Sequence, residues 1–82
     1  MTPSQITYAD VIVKQRVEAW AEGLDFDPEE QIFMLIEDKF GAREVAVLDA
    51  RPEAYCIMLT IGTDVWKEPR EFALLKSGSL AW

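Results

Sequence analysis

The sequence predicts one α+β domain: two N-terminal helices followed by a three-stranded antiparallel β-meander, with the helices packed on one face of the sheet. Three observations lead to this prediction. Apolar residues recur at helical spacing before Gly41, β-branched and apolar runs follow it, and 82 residues suit a single domain. The compact domain is predicted over residues 1–78, and residues 79–82 form an apolar C-terminal tail.

The first helix is predicted over about residues 8–22, where apolar residues share one helical stripe. Thr7 with Asp10 three positions later resembles a capping box. Residues 11–13 are consecutive β-branched residues, which favour strands. The alternative is therefore a short strand over residues 6–13, with a helix only after it. The predicted core stripe consists of Ala9, Val13, Val17, Trp20 and Leu24.

The second helix carries the clearest end signals. Asp27 is suited to cap the first turn, and Pro28 suits the first helical position. Gly41 is suited to the left-handed residue that ends a helix. The apolar face of this helix is predicted to comprise Ile32, Phe33, Leu35, Ile36 and Phe40.

Three strands are predicted after Gly41, over residues 44–49, 55–61 and 70–76. A turn containing Arg51 and Pro52 is expected to join the first two. Both alternating sets of the middle strand are largely apolar, which predicts a central strand covered on both faces.

The charge balance favours a protein partner over a nucleic acid. Eight basic and fifteen acidic residues give a net charge of −7. Direct binding to DNA or RNA needs Lys and Arg to neutralise phosphates, so it is not expected. An acidic surface suits a basic-surfaced protein. The other interpretation, acidity that serves solubility alone, stays open.

A cytoplasmic location is predicted from cysteine usage and from the N-terminus. Cys56 is the single cysteine, so no intramolecular disulfide can form. Cys56 lies in the most apolar run and is predicted to be buried and inert. Residues 1–5 lack the basic start and apolar run of a signal peptide, and no run approaches a membrane span of about 18 apolar residues. No membrane partner is expected.

The sequence does not predict an enzyme. It has no histidine, the commonest general base and metal ligand, and its four glycines are scattered singly. The acidic run that begins at Asp25 starts like a calcium loop, but Glu30 stands at the sixth position and Ile36 at the twelfth. We therefore expect no catalytic residue, cofactor or metal ligand.

The candidate partner-binding residues lie on the second helix and at two tryptophans. On the second helix, Glu30, Glu37 and Asp38 lie on the same side as Met34. This side is either an ordinary solvated face or an acidic surface that docks in a basic groove of a partner. The fixed helical spacing of these carboxylates could also imitate phosphates.

The three tryptophans have different expected roles. Trp20 is predicted to lie in the core, and Trp66 is either a lid over the core or an exposed binding anchor. Trp82 could fold back onto the sheet or enter a partner.

The chain contains, in this order, Glu22, Pro28-Glu29-Glu30, Met58-Leu59, Lys67 and Pro69. This order resembles that of the phage uracil-DNA glycosylase inhibitors, which are acidic proteins with two helices and an antiparallel sheet. The chain departs from that family in having a short loop between its helices and more basic residues. The resemblance illustrates the class of DNA-mimic inhibitors, and no site residue is transferred from it.

The sequence thus predicts a small acidic protein-interaction module that regulates or inhibits a larger partner. One alternative is a structural subunit or homodimer that completes a shared sheet, since a core of this size usually supplies only about 3–5 kcal/mol. The other is a DNA-mimic inhibitor of a nucleic-acid enzyme.

Overall fold

The computed structural model describes residues 6–81; residues 1–5 and Trp82 lie outside the described part. The elements in chain order are β1 (Ile6–Tyr8), α1 (Val11–Trp20), α2 (Pro28–Phe40), β2 (Val45–Pro52), β3 (Cys56–Thr63), β4 (Arg70–Leu75) and β5 (Leu80–Ala81). The α+β class, the two helices and the β2–β3–β4 meander confirm the sequence prediction.

The sheet differs from the prediction in having five strands, in the spatial order β1-β2-β3-β4-β5. The added strands are the two edges. β1 pairs in parallel with β2, and β5 pairs antiparallel with β4, so the sheet is mixed. With only three and two residues, these strands are too short to show the alternation that identifies a strand in a sequence.

The start of α1 confirms one part of the prediction for the first helix and corrects another. Asp10, not Thr7, is the N-cap: its carboxylate accepts the N–H of Val13 at 2.9 Å. The strand alternative is right for Ile6–Tyr8 and wrong for residues 11–13. The cap and the burial of Val13 outweigh the strand preference of three β-branched residues.

β2 continues further than its sequence indicates. It includes Arg51 and Pro52, so the expected turn at these residues lies instead at residues 53–55. The pairing with β3 shifts register between Val47 and Asp49. Leu48 is the extra residue of this bulge, and Ala50 therefore returns to the buried side.

The core is a single layer between the two helices and one face of the sheet. The described residues include no buried polar or charged residue. Each fully buried large aliphatic or aromatic side chain contributes about 1.5–3 kcal/mol. The sheet supplies Ile6, Val45, Val47, Ala50, Ile57, Leu59, Ile61, Phe72 and Leu74 to this layer, and the helices supply Val13, Val17, Trp20, Ile32 and Ile36.

The opposite face of the sheet is not covered by any described element, which corrects the prediction that β3 is covered on both faces. On β3, Ile57, Leu59 and Ile61 are fully buried, while the alternate residues are only partly buried. The strand register places on the uncovered side the apolar or small residues Ala46, Leu48, Cys56, Met58, Ala73 and Leu75, the polar residues Thr7 and Thr60, and the charged residues Asp49, Arg51 and Glu71. We call this surface the open face.

Candidate functional site

The second helix is held in place by its ends, as its sequence indicates. The Asp27 carboxylate accepts the N–H of Glu29 at 3.0 Å, and Pro28 is the first helical residue. At the other end Gly41 is left-handed at φ 72°, and its N–H donates to the Glu37 carbonyl at 2.9 Å. Both helix ends are thus satisfied locally.

The orientation of α2 is set by its apolar side and one hydrogen bond. Ile32 and Ile36 are fully buried, and Phe33 and Phe40 pack partly buried against the core. The Gln31 amide donates to the Gly78 carbonyl at 2.7 Å, which joins the helix to the turn between β4 and β5. The opposite side of the helix must therefore face solvent.

Four of the six predicted partner-binding residues lie together on that outer side. Glu30, Met34, Glu37 and Asp38 are all exposed, and Met34 is exposed by 50%. With a rise of about 1.5 Å per residue, the stripe extends about 12 Å along the helix axis. We call these four residues the acidic stripe.

The acidic stripe has no cation of its own within the described chain. The ion pairs among residues 6–81 join Arg16 to Asp49 at 3.6 Å and Arg51 to Glu71 at 3.2 Å. Neither includes a carboxylate of the stripe. The stripe is an apolar methionine among three carboxylates that remain available to an external cation.

Trp66 lies at the other end of the core, on the connection between β3 and β4. Its ring stacks on Phe72 with centroids 5.6 Å apart and meets Phe40 edge-on at 4.9 Å. The Arg70 guanidinium lies 4.6 Å above it. The partly buried indole therefore packs as a lid over the core, and these contacts do not include the acidic stripe.

Of the predicted tail, the structure describes residues 79–81, and Leu80–Ala81 form β5, which pairs with Ala73 and Leu74. Leu80 packs partly buried against the core. Trp82, a predicted partner-binding residue, lies outside the described residues.

A further cleft of about 610 Å³ lies where β2 begins and β3 ends, beside Trp66. Asp64 organises this end, because its carboxylate accepts the N–H groups of Arg43 and Glu44 at 3.1 and 3.2 Å. These backbone hydrogen bonds lower the pKa of Asp64. The lining mixes the cations Arg43 and Lys67 with the carboxylates Glu44, Asp64 and Glu68, so no single sign of charge dominates the cleft strongly.

Two surfaces were missed by sequence reasoning, the cleft and the open face. Cys56, expected to be buried, is only partly buried on the open face. The sequence signal for this face was the largely apolar set Cys56, Met58 and Thr60, which sequence reasoning could not distinguish from a covered side of the strand.

Comparison with known proteins adds no relative. No protein-family model matches the chain, and neither the curated proteins nor the solved structures include a match. Among residues 6–81, no three His, Cys, Asp or Glu side chains are grouped so that they could hold a metal ion. None of the described helices has the length and apolar character needed to cross a membrane.

Proposed function

We propose that this chain is a small acidic protein-interaction module, and that the acidic stripe of α2 docks on a basic surface of a larger protein and regulates or inhibits it. The observation that carries the proposal is the outward display of Glu30, Glu37 and Asp38 around Met34, with no ion pair to another described residue. Complementary charge accelerates encounter and selects a partner, and a central apolar side chain adds contact area.

The rigidity of the helix supports this proposal. Both ends of α2 are capped, and its inner side is fixed by Ile32, Ile36 and the Gln31 hydrogen bond. The stripe is therefore presented in one geometry before binding. A preorganised surface loses less conformational entropy on binding, so more of its contact energy contributes to affinity.

The test is affinity capture with a charge-reversed stripe. Glu30→Lys with Glu37→Lys should weaken capture of a basic partner by about tenfold or more, because two attractive contacts become repulsive. Both residues are exposed, so the thermal unfolding midpoint Tm should change little. Binding of the unaltered chain should also weaken at high salt, because ions screen exposed charge pairs.

The matched control is Glu18→Lys with Glu22→Lys. These residues are also exposed, and the change in net charge is the same, but they belong to α1 and the turn after it. If this control variant loses the partner as strongly as the stripe variant, net charge rather than the stripe governs binding. If neither variant loses it, the acidic stripe is not the docking surface.

A narrower candidate function is that of a DNA-mimic inhibitor, which would use the same acidic stripe but is tested by a different experiment. Its support is the fixed helical spacing of three carboxylates that have no cation partner within residues 6–81. In that case the captured partner binds nucleic acid, and duplex DNA competes with this chain for it. A partner that binds DNA and this chain simultaneously argues against mimicry.

A further inference from the structure

Arg70, the first residue of β4, is held against two aromatic rings. Its guanidinium carbon Cζ lies 4.6 Å from the centroid of the Trp66 ring and 5.6 Å from that of the Phe40 ring, and these two rings meet edge-on. A cation–π contact attracts the charge without occupying the N–H groups of the guanidinium with an oxygen acceptor. The two rings therefore restrict the side chain and leave its hydrogen-bond donors available.

No carboxylate within residues 6–81 uses these donors. The arginines that form ion pairs in this part of the chain are Arg16 and Arg51. The same two side chains donate the arginine hydrogen bonds of the described structure, and Arg70 donates none of them. Arg70 is also exposed. Its guanidinium is thus fixed by aromatic rings but is not neutralised by a described acidic residue.

Arg70 also lines a groove of about 490 Å³, together with residues 65–69. We call it the Trp66 groove. Its charged residues are two cations, Lys67 and Arg70, and one carboxylate, Glu68, so the local charge is +1 on a chain whose net charge is −7. The groove therefore offers a fixed guanidinium beside apolar surface. Its apolar residues are Val65, which is 50% exposed, Trp66 and Pro69.

We propose that the Trp66 groove binds a monocarboxylate that carries an apolar group, with the carboxylate on Arg70 and the apolar group against Trp66 and Val65. A planar carboxylate matches the guanidinium fork and accepts two parallel N–H hydrogen bonds. Because the rings already restrict the Arg70 side chain, less conformational entropy is lost when the ligand binds. A free organic acid and the C-terminal residue of a polypeptide both offer this chemistry.

The charge of the chain favours a carboxylate over a phosphate. Coulomb repulsion is proportional to the charge of the ligand. A phosphate of charge about −1.5 to −2 is therefore repelled by the acidic chain up to about twice as strongly as a carboxylate of charge −1. Glu68 adds to this repulsion within the groove itself. Inorganic phosphate also lacks an apolar group to contact Trp66.

The test is an NMR titration of the full chain with sodium phenylacetate at constant ionic strength, observed at the arginine Nε–H signals. The Arg70 signal should move to a saturating value, with a Kd of about 1–10 mM for one bidentate contact and a small apolar group. The Trp66 indole signal should move with it. The signals of the ion-paired Arg16 and Arg51 should move much less. A constant Arg70 signal, or equal movement of all three arginine signals, overturns the proposal.

Substitutions test the role of the guanidinium. Arg70→Gln should weaken phenylacetate binding by about tenfold or more, because the bidentate contact is lost. Arg70→Lys keeps the charge without the fork and should still weaken binding by about threefold or more. Arg51→Gln is the matched control, since it removes the same charge from another exposed arginine. An unchanged affinity in Arg70→Gln, or an equal loss in Arg51→Gln, contradicts the assignment to Arg70.

Further ligands test the chemistry and distinguish its two sources. Phenylacetamide, which has no charge, should not bind, and inorganic phosphate should bind more weakly than phenylacetate. Phosphate binding that is as tight as phenylacetate binding overturns the choice of a carboxylate. A short peptide that ends in leucine and binds about tenfold more tightly than phenylacetate, but not as its C-terminal amide, identifies a polypeptide end. A peptide that binds no more tightly than phenylacetate identifies a free organic acid.

This site does not depend on the acidic stripe. The variant Glu30→Lys with Glu37→Lys should bind phenylacetate at least as tightly as the unaltered chain, because its net charge is less negative. Failure of the acidic stripe and failure of the Trp66 groove are therefore distinguishable.

Discussion

At the residue scale, Tyr8 places a buried phenol oxygen close to acidic side chains, among which Glu29 has the largest effect. Burial raises the pKa of Tyr8 well above its ordinary value of 10.0, and the negative charge of Glu29 raises it further. Both effects oppose ionisation of the phenol, so the folded chain keeps Tyr8 protonated at pH values where the unfolded chain loses the proton.

This difference makes stability fall at high pH. The stabilisation is fully present below about pH 10 and is lost as the pH rises toward the raised pKa of the folded state. Thermal unfolding of Tyr8→Phe should therefore show a smaller loss of stability between about pH 9 and about pH 11 than the unaltered chain.

Tyr55 provides the control for this measurement, since its side chain is 84% exposed. Tyr55→Phe should keep the pH dependence that Tyr8→Phe reduces. If the two variants lose stability equally between the two pH values, burial of Tyr8 does not cause the effect.

At the element scale, α2 depends on the turn between β4 and β5. Gly78 is buried at φ 97°, and its carbonyl accepts the Gln31 hydrogen bond. An added Cβ would lie 3.3 Å from the Gln31 amide nitrogen. The glycine thus permits both the left-handed turn and the close approach of the helix.

Gly78→Ala should destabilise the chain by about 1–3 kcal/mol through backbone strain and displacement of Gln31. Chemical unfolding measures this loss. Gly23→Ala is the matched control, because Gly23 also has a positive φ of 82° but no atom within 4 Å of an added Cβ. Equal losses in the two variants would show that strain alone is responsible and that the Gln31 contact contributes nothing.

At the scale of the whole molecule, unbalanced acidity opposes compaction. The net charge is −7, and the two ion pairs within residues 6–81 are exposed, so each contributes only about 0–1 kcal/mol. Repulsion among the carboxylates therefore exceeds the attraction supplied by these pairs.

Salt should stabilise the fold as a result. At low protein concentration, Tm should be higher at about 0.15 M than at about 0.01 M ionic strength, because the Debye length falls from about 30 Å to about 8 Å. Scanning calorimetry at both salt concentrations tests this. A lower Tm at the higher salt concentration would mean that attractive ion pairs dominate the electrostatics.

Some elements could be predicted from their own sequence and others could not, because their signals are local in the first case and depend on distant residues in the second. The signals for α2 are local: Asp27, Pro28 and Gly41 act on their own neighbours, so the helix and its outer stripe were predictable. The signals for β1 and the bulge at Leu48 are not local, because both depend on the partner strand that pairs with them. The same holds for Trp66, whose burial depends partly on Phe40, which lies on another element and is distant in the chain.

Local side-chain chemistry was therefore enough for the α+β class, the two helices, the central meander and the identity of the acidic stripe. The packing of distant segments decided which sheet face is covered, where β1 and β5 join and which side of β3 remains open. An apolar side chain has the same sequence signature whether a helix covers it or not. The open face could be recognised only after both helices were located on the other side of the sheet.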